Sequence, residues 1–228
     1  MIIKVCGMRE PENIRAVEEL GVDMIGFIFV PQSKRYVRMI SSNAGILPDY
    51  ADERQNETSA AGKKAPLRVG GFVDDMPQNI ITRIYNYNLD YVQLHGDESA
   101  VMIDNLRRSV DPDIHKGLKI IKAISVASEN DVKRWREYEG HADMLLFDTK
   151  GDEAGGNGRH FDWELLNAYD GNIPFLLSGG IDIDDALEIR KINNPMFAGV
   201  DINSRFETEP AVKDVEKIRN FIRLLKDD

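Results

Sequence analysis

Apolar residues in this chain gather into short runs with the alternation and length of β-strands, and between the runs they spread to helical three- and four-residue spacing. The runs predict strands at Ile2–Cys6, Met24–Val30, Leu67–Val73, Tyr91–Leu94, Lys119–Ile124, Met144–Asp148, Phe175–Ser178 and Ala198–Asp201. The intervening periodicity predicts helices at Pro11–Leu20, after Ser41, and at Pro77–Tyr87, Glu98–Val110, Ser128–Tyr138, Phe161–Ala168, Ile183–Lys191 and Val212–Leu225. Pro11 and Pro77 stand where a first-turn proline belongs, Ser128 and Asp182 are suited to cap helices, and Gly21 is suited to end one. Strand then helix, repeated around the chain, predicts a single-domain (β/α)8 TIM barrel over residues 1–228. A doubly wound open sheet is the alternative architecture. The polar stretch at 49–66 reads as a mobile surface insertion near the second helix.

In such barrels the chemistry lies where strands end and βα loops begin. Unusual residues gather there: Cys6-Gly7 at the first strand, Ser33-Lys34-Arg35 after the second, His95-Gly96 at the fourth, Asp148-Thr149 at the sixth, Ser178-Gly179-Gly180 after the seventh, and Asp201 to Arg205 after the eighth. Packing alone has no use for polar residues at so many strand ends. Period-two alternation adds that Lys4 and Cys6 share a face, as do Tyr91, Gln93 and His95, and also Met144, Leu146 and Asp148. Parity leaves open which face is inside.

Composition narrows the function class. With 228 residues the chain fits one large domain. Its net charge of −10 argues against a nucleic-acid surface, which needs clustered Lys and Arg, though a locally positive pocket for a small anion remains compatible. The single cysteine, Cys6, excludes an intrachain disulfide and a cysteine-rich metal site. No apolar stretch approaches the ~18 residues of a membrane span, and MIIKVCGM is too short for a signal peptide, so a cytoplasmic protein is expected. His115, His141 and His160 lack metal-ligand spacing and read as surface residues.

Seven segments, IKVCGM, GFIFVPQSKRYV, VGGFVDD, YVQLHGDE, LLFDTKGDEAGGNGRHFDW, LLSGGI and GVDINSRFE, resemble in order the signature segments of the phosphoribosylanthranilate isomerase family. Each lies at a strand end, and the resemblance runs from residue 2 to about residue 222, with only 49–66 lacking a counterpart. It implies an Amadori rearrangement of N-(5-phosphoribosyl)anthranilate to 1-(2-carboxyphenylamino)-1-deoxyribulose 5-phosphate, in tryptophan biosynthesis. It implies a small phosphorylated substrate and neither a metal nor an organic cofactor; a monomer is expected.

By that resemblance Cys6 is the catalytic base and Asp148 the catalytic acid. An acid must protonate the ring oxygen to open the sugar, and a base must then take the C2 proton of the Schiff base. Asp148 would need its acidity weakened by burial or a neighbouring carboxylate such as Asp201, and Cys6 would need a cation or N–H donors. Lys4, on the same strand face, is one such cation; pairing with an inward carboxylate as barrel structure is the alternative. Arg35 suits the anthranilate carboxylate because a guanidinium offers two planar contacts; the alternative is a surface arginine beside Lys34 and Arg38. Gln93, His95 and Asp201 are expected to line the pocket. Ser178, Gly179 and Gly180, with Asn203, Ser204 and Arg205, are expected to hold the phosphate. Gly155-Gly156-Asn157-Gly158 reads as part of a mobile loop over the site.

One departure stands out. Where the family usually has Asp-Val-Ser-Ser-Gly-Val-Glu, this chain has Asp201-Ile202-Asn203-Ser204-Arg205-Phe206-Glu207. A glycine at that point permits positive φ and close approach to a phosphate. Arg205 therefore implies either a different loop path or a guanidinium that compensates. Two other readings remain: another phosphosugar or aminoaldose isomerase of the same barrel type, or an inactive barrel acting as a binding subunit. Presence of both Cys6 and Asp148 speaks against the last.

Overall fold

A computed structural model describes residues 1–38, 65–149 and 162–226. The strands are β1 (Ile2–Val5), β2 (Met24–Ile28), β3 (Leu67–Phe72), β4 (Tyr91–Leu94), β5 (Lys119–Val126), β6 (Met144–Thr149), β7 (Phe175–Leu177) and β8 (Phe197–Ile202). They close into one barrel in chain order, each parallel to its neighbours, with β8 returning to pair β1 through Ile2↔Gly199 and Lys4↔Asp201. The TIM barrel expected from the pattern is the observed fold, and the open-sheet alternative falls.

Parity resolves into two cores. Met24, Val69, Tyr91, Ile121, Ala123, Met144, Leu146 and Leu176 fill the barrel interior, whereas Ile3, Val5, Phe27, Phe72, Leu145, Phe147 and Leu177 face outward under the helices. The rows ending in Cys6, His95 and Asp148 are thus the inward ones, and their polar tips reach the C-terminal mouth.

The helices are α1 (Pro11–Glu18), α2 (Pro77–Tyr87), α3 (Ala100–Val110), α4 (Glu129–Lys133), α5 (Ala186–Ile189) and α6 (Val215–Lys226). Pro11 and Pro77 do open helices, Gly21 takes a φ of +74°, and the Asp182 carboxylate accepts the Ile183 N–H. Three predicted helices are shorter than their periodicity. The Ser128–Tyr138 stretch changes to a 3-10 helix at Arg134, Phe161–Ala168 is represented by a 3-10 helix at Trp163–Ala168, and Ile183–Lys191 begins as a 3-10 turn. The apolar residues of these segments pack against the barrel without needing continuous α geometry. Val212–Lys213, expected to start the last helix, is instead strand β10, antiparallel to β9 (Glu207–Glu209). That hairpin carries Lys213 and Glu207 back to the barrel mouth. The predicted helix after Ser41, nearly all of the 49–66 insertion and the glycine cluster at 155–158 lie outside the described residues.

Helix α6 docks the eighth loop. Ile218, Phe221, Ile222 and Leu225 form its buried stripe, and Phe206 meets Phe221 at 4.9 Å between ring centroids. Lys217, on the same helix, donates to the Arg205 carbonyl at 2.7 Å and pairs with Asp182 at 2.6 Å, tying the eighth loop to the seventh. Among the described residues no helix is long and apolar enough to cross a membrane.

Candidate active site

Two polar groups meet at the barrel mouth. The first surrounds Cys6, whose N–H extends the β1–β8 ladder by donating to Ile202 O at 2.9 Å. Lys4, fully buried one pleat below, pairs with Asp201 at 2.9 Å, although neither atom makes a well-directed hydrogen bond. Both alternatives for Lys4 thus coexist: it pairs with an inward carboxylate and it stands beside the thiol. Burial pushes the Cys6 thiol above its usual range, the Lys4 ammonium opposes that, Asp201 reinforces it, and Lys213 opposes it. Asp201 is likewise raised by burial, against Lys4, with the charge of Asp148 adding to the rise.

Gly7, at a φ of +76°, explains how the second loop reaches Cys6. A Cβ on Gly7 would lie 2.6 Å from both Arg35 Cδ and Asn203 Oδ1, so the missing side chain is the space these two occupy. Arg35 lies here, well covered, and not on a solvated surface. Its Nε and Nη2 donate to Glu207 at 2.8 and 2.6 Å. Glu207 also takes Lys213 Nζ at 2.6 Å, and Lys213 donates to Asn203 Oδ1 at 2.7 Å. Despite its burial, Glu207 is held below the usual carboxylate range by Arg35 and Lys213.

The second group surrounds Asp148. Its Oδ1 accepts the Thr149 N–H at 2.9 Å, and its Oδ2 lies 3.2 Å from His95 Nε2. Gly179, at a φ of +89°, packs so closely that a Cβ would come 2.6 Å from Asp148 Oδ1. Behind His95, Lys122 donates to Gly96 O at 2.6 Å and pairs with Glu98, which accepts the N–H groups of Gly96 and Asp74 at 2.9 Å each. This buried brace fixes the loop on which His95 sits. A cleft of about 370 Å³ opens beside it, lined by His95, Lys122, Ser125, Asp131 and Arg134. Gln93 sits deeper in the barrel, buried, with an Oε1 that has no hydrogen-bond partner.

The seventh and eighth loops are adjacent, tied through Lys217. Gly179 and Gly180 both have positive φ, and Ser178 N–H completes the β6–β7 ladder by donating to Phe147 O at 2.8 Å. Ser204 and Arg205 form a 3-10 turn. Arg205 does not adopt positive φ, so an arginine carries no left-handed strain at this point of the loop. Its guanidinium is exposed and acts electrostatically on Asp182, whose carboxyl, raised by burial, is drawn below its usual range by Lys217 and the Ile183 N–H. The Asn203 side-chain oxygen accepts from Lys213 Nζ at 2.7 Å.

Sequence reading did not single out Lys213, Lys122 or Glu98, and gave Glu207 no role. Lys122 had a visible signal, a lone cation within the apolar run KIIKAISV. Lys213 was concealed by the helix assigned over it. Among the described residues no group of three His, Cys, Asp or Glu side chains is placed to hold a metal ion.

Comparison with known proteins adds an independent line. The model of the N-(5'-phosphoribosyl)anthranilate isomerase family matches residues 3–224. The proteins of that name from Parabacteroides distasonis and Phocaeicola vulgatus are 42% and 41% identical, covering 98% and 99% of this chain and 92% and 98% of their own lengths. The crystal structure of phosphoribosyl anthranilate isomerase from Thermotoga maritima superposes with a TM-score of 0.75 at 32% identity, over 99% of both chains. A structure of such an isomerase in complex with reduced 1-(o-carboxyphenylamino)-1-deoxyribulose 5-phosphate superposes with a TM-score of 0.74 at 29% identity, over 99% of both chains.

Proposed function

This chain belongs to the N-(5'-phosphoribosyl)anthranilate isomerase family, and from that premise we propose that Cys6 and Asp148 are the base and acid of its reaction. The enzyme is an isomerase of tryptophan biosynthesis. In our reading Asp148 protonates the furanose ring oxygen while the anilino nitrogen forms the Schiff base. Cys6 then takes the C2 proton, giving an enolamine, and that proton is returned at C1 as the C2 hydroxyl becomes the ketone and gives its own proton back to the Asp148 carboxylate. The observation that carries this reading is that Cys6 and Asp148 both reach the mouth and both interact electrostatically with one buried carboxylate, Asp201. His95 and the Thr149 N–H orient the Asp148 carboxyl, and Gln93, His95 and Asp201 line the pocket.

The phosphate, in this proposal, sits between the seventh and eighth loops, against backbone N–H groups of Ser178-Gly179-Gly180 and Asn203-Ser204, with the Arg205 guanidinium at the rim. Arg35 takes the anthranilate carboxylate on its Nη1–Nη2 edge, since its Nε and Nη2 already hold Glu207. The test of the whole reading is a fluorescence assay following loss of phosphoribosylanthranilate with purified protein. Steady turnover is expected, and a folded protein without turnover overturns it.

Arg35→Met is expected to weaken binding of a carboxylated product analogue by about 2–5 kcal/mol, because the pair forms away from solvent. An analogue lacking the carboxylate should bind wild type and variant alike. Calorimetric titration of the two ligands decides: equal losses for both would make Arg35 a structural partner of Glu207 only.

A further inference from the structure

The buried pair beneath Cys6 is larger than the base reading needs. Lys4 is fully buried and points into the barrel, and its partner Asp201 is nearly so. Their contact at 2.9 Å is close yet poorly directed, leaving Lys4 Nζ and Asp201 Oδ1 without aligned hydrogen bonds. Gly26 on β2 makes the room for this arrangement. A Cβ there would lie 2.9 Å from Cys6 Sγ and 3.2 Å from Lys4 Nζ, so thiol and ammonium converge over the same bare patch of backbone. A barrel interior needs no such trio for packing; apolar residues of similar volume would fill it with less desolvation.

We propose that Lys4, Asp201 and Cys6 form one proton-sharing unit, in which Lys4 is the positioning cation and Asp201 is the acceptor that makes the Cys6 thiolate. This rests on Cys6 being the base. Ionising Cys6 to bulk water would leave the trio with a net negative charge in a buried place. Moving the proton to Asp201 instead leaves the net charge at zero throughout. Lys4 stands between: its ammonium releases one proton to Asp201 Oδ1 and takes the thiol proton, so Cys6-SH with Asp201 carboxylate becomes Cys6 thiolate with Asp201 carboxylic acid. The thiolate then takes the C2 proton of the Schiff base, and the S–H so formed returns that proton to C1, restoring the thiolate. The other charged groups facing the trio are Lys213 and Arg35, near Cys6, and Asp148, near Asp201. None of these displaces Lys4 from its place beside both partners.

Because Cys6 is the only cysteine, the ultraviolet absorbance of the thiolate reports it alone, with Cys6→Ala as the blank. Lys4→Met is expected to raise the midpoint of thiolate formation by ~1 pH unit or more, and Asp201→Asn to lower it by a similar amount, since the thiolate becomes the ammonium's remaining anionic partner. The acid limb of kcat should move with the midpoint in both variants. Lys4→Met should also lower kcat at least ~30-fold at neutral pH, with KM changed much less. Midpoints that stay at the wild-type value, or that move in the same direction in both variants, overturn the proposal. If either single variant fails to fold, the double variant K4M/D201N, which leaves no unpaired charge, keeps the test. It is expected to lose kcat as Lys4→Met does, and wild-type kcat in it overturns the proposal. Full turnover in Cys6→Ala would instead remove the base reading, while leaving the two opposite midpoint shifts as they are.

Discussion

Cys6→Ala and Asp148→Asn each lower turnover by at least ~100-fold while product affinity changes far less, because each removes a proton transfer that only the transition states need. Neither replacement creates a large void or a new charge. Alanine deletes a single sulfur, and asparagine can still accept the Thr149 N–H that Asp148 holds at 2.9 Å. The two variants should fail at different steps. Without the acid the furanose stays closed, whereas without the base a ring-opened Schiff base can form but its C2 proton stays in place. Loss of the substrate C2–H signal, followed by NMR, should therefore be absent in both, while chemical trapping of the Schiff base should succeed only in Cys6→Ala. Stoichiometric alkylation of the lone thiol should abolish turnover, and a bound product analogue should slow it. Wild-type turnover in either variant, or in the alkylated protein, removes that residue from its role.

The largest stability effect is expected at Gly199, on the seam where β8 closes on β1. Where β7 meets β8 the register shifts: Phe175 faces Phe197 but Leu176 faces Gly199, leaving Ala198 as an extra residue. The shift brings Gly199 against the backbone of β1, its partner at Ile2 across the closing seam. A Cβ on Gly199 would fall inside the contact distance of the Ile2 carbonyl oxygen and 2.6 Å from its carbon, and these are backbone atoms held in the ladder. Gly199→Ala must either break the β8–β1 pairing or bend it, at a cost of about 3 kcal/mol or more. Gly71, on β3, is the control: a Cβ there meets only Phe27 O at an ordinary 3.5 Å, so Gly71→Ala should change stability by less than ~1 kcal/mol. Denaturant unfolding of the two variants side by side checks this. Equal midpoints would show that the closing seam tolerates a methyl. Since β1 and β8 carry Lys4 and Asp201, opening that seam should cost activity as well.

What the sequence alone determined was whatever repeats locally. Strand alternation and helix spacing recur every few residues, so the eight strands, their order and the rows that share a face with Cys6, His95 and Asp148 could be read without coordinates, while packing decided that those rows face inward. A (β/α)8 barrel then puts its strand ends at one mouth by topology, and this is why the candidate residues were legible before any distance was known. Tertiary structure alone decided the partners. Arg35 meets Glu207 across 172 residues, and Lys4 meets Asp201 because β8 closes on β1. No periodicity encodes such pairings, since they depend on which loops fold over the same strand end. The register shift that singles out Gly199 and the hairpin that delivers Lys213 have the same origin. The Val212–Lys213 run was compatible with the start of a helix, and its pairing with Glu207–Glu209 prevailed because Lys213 gains Glu207 and Asn203 only in the strand. Local pattern specifies the scaffold and which residues share a face; long-range closure of the barrel determines which face is inward and which charges meet there, because only closure brings distant residues within a few ångströms.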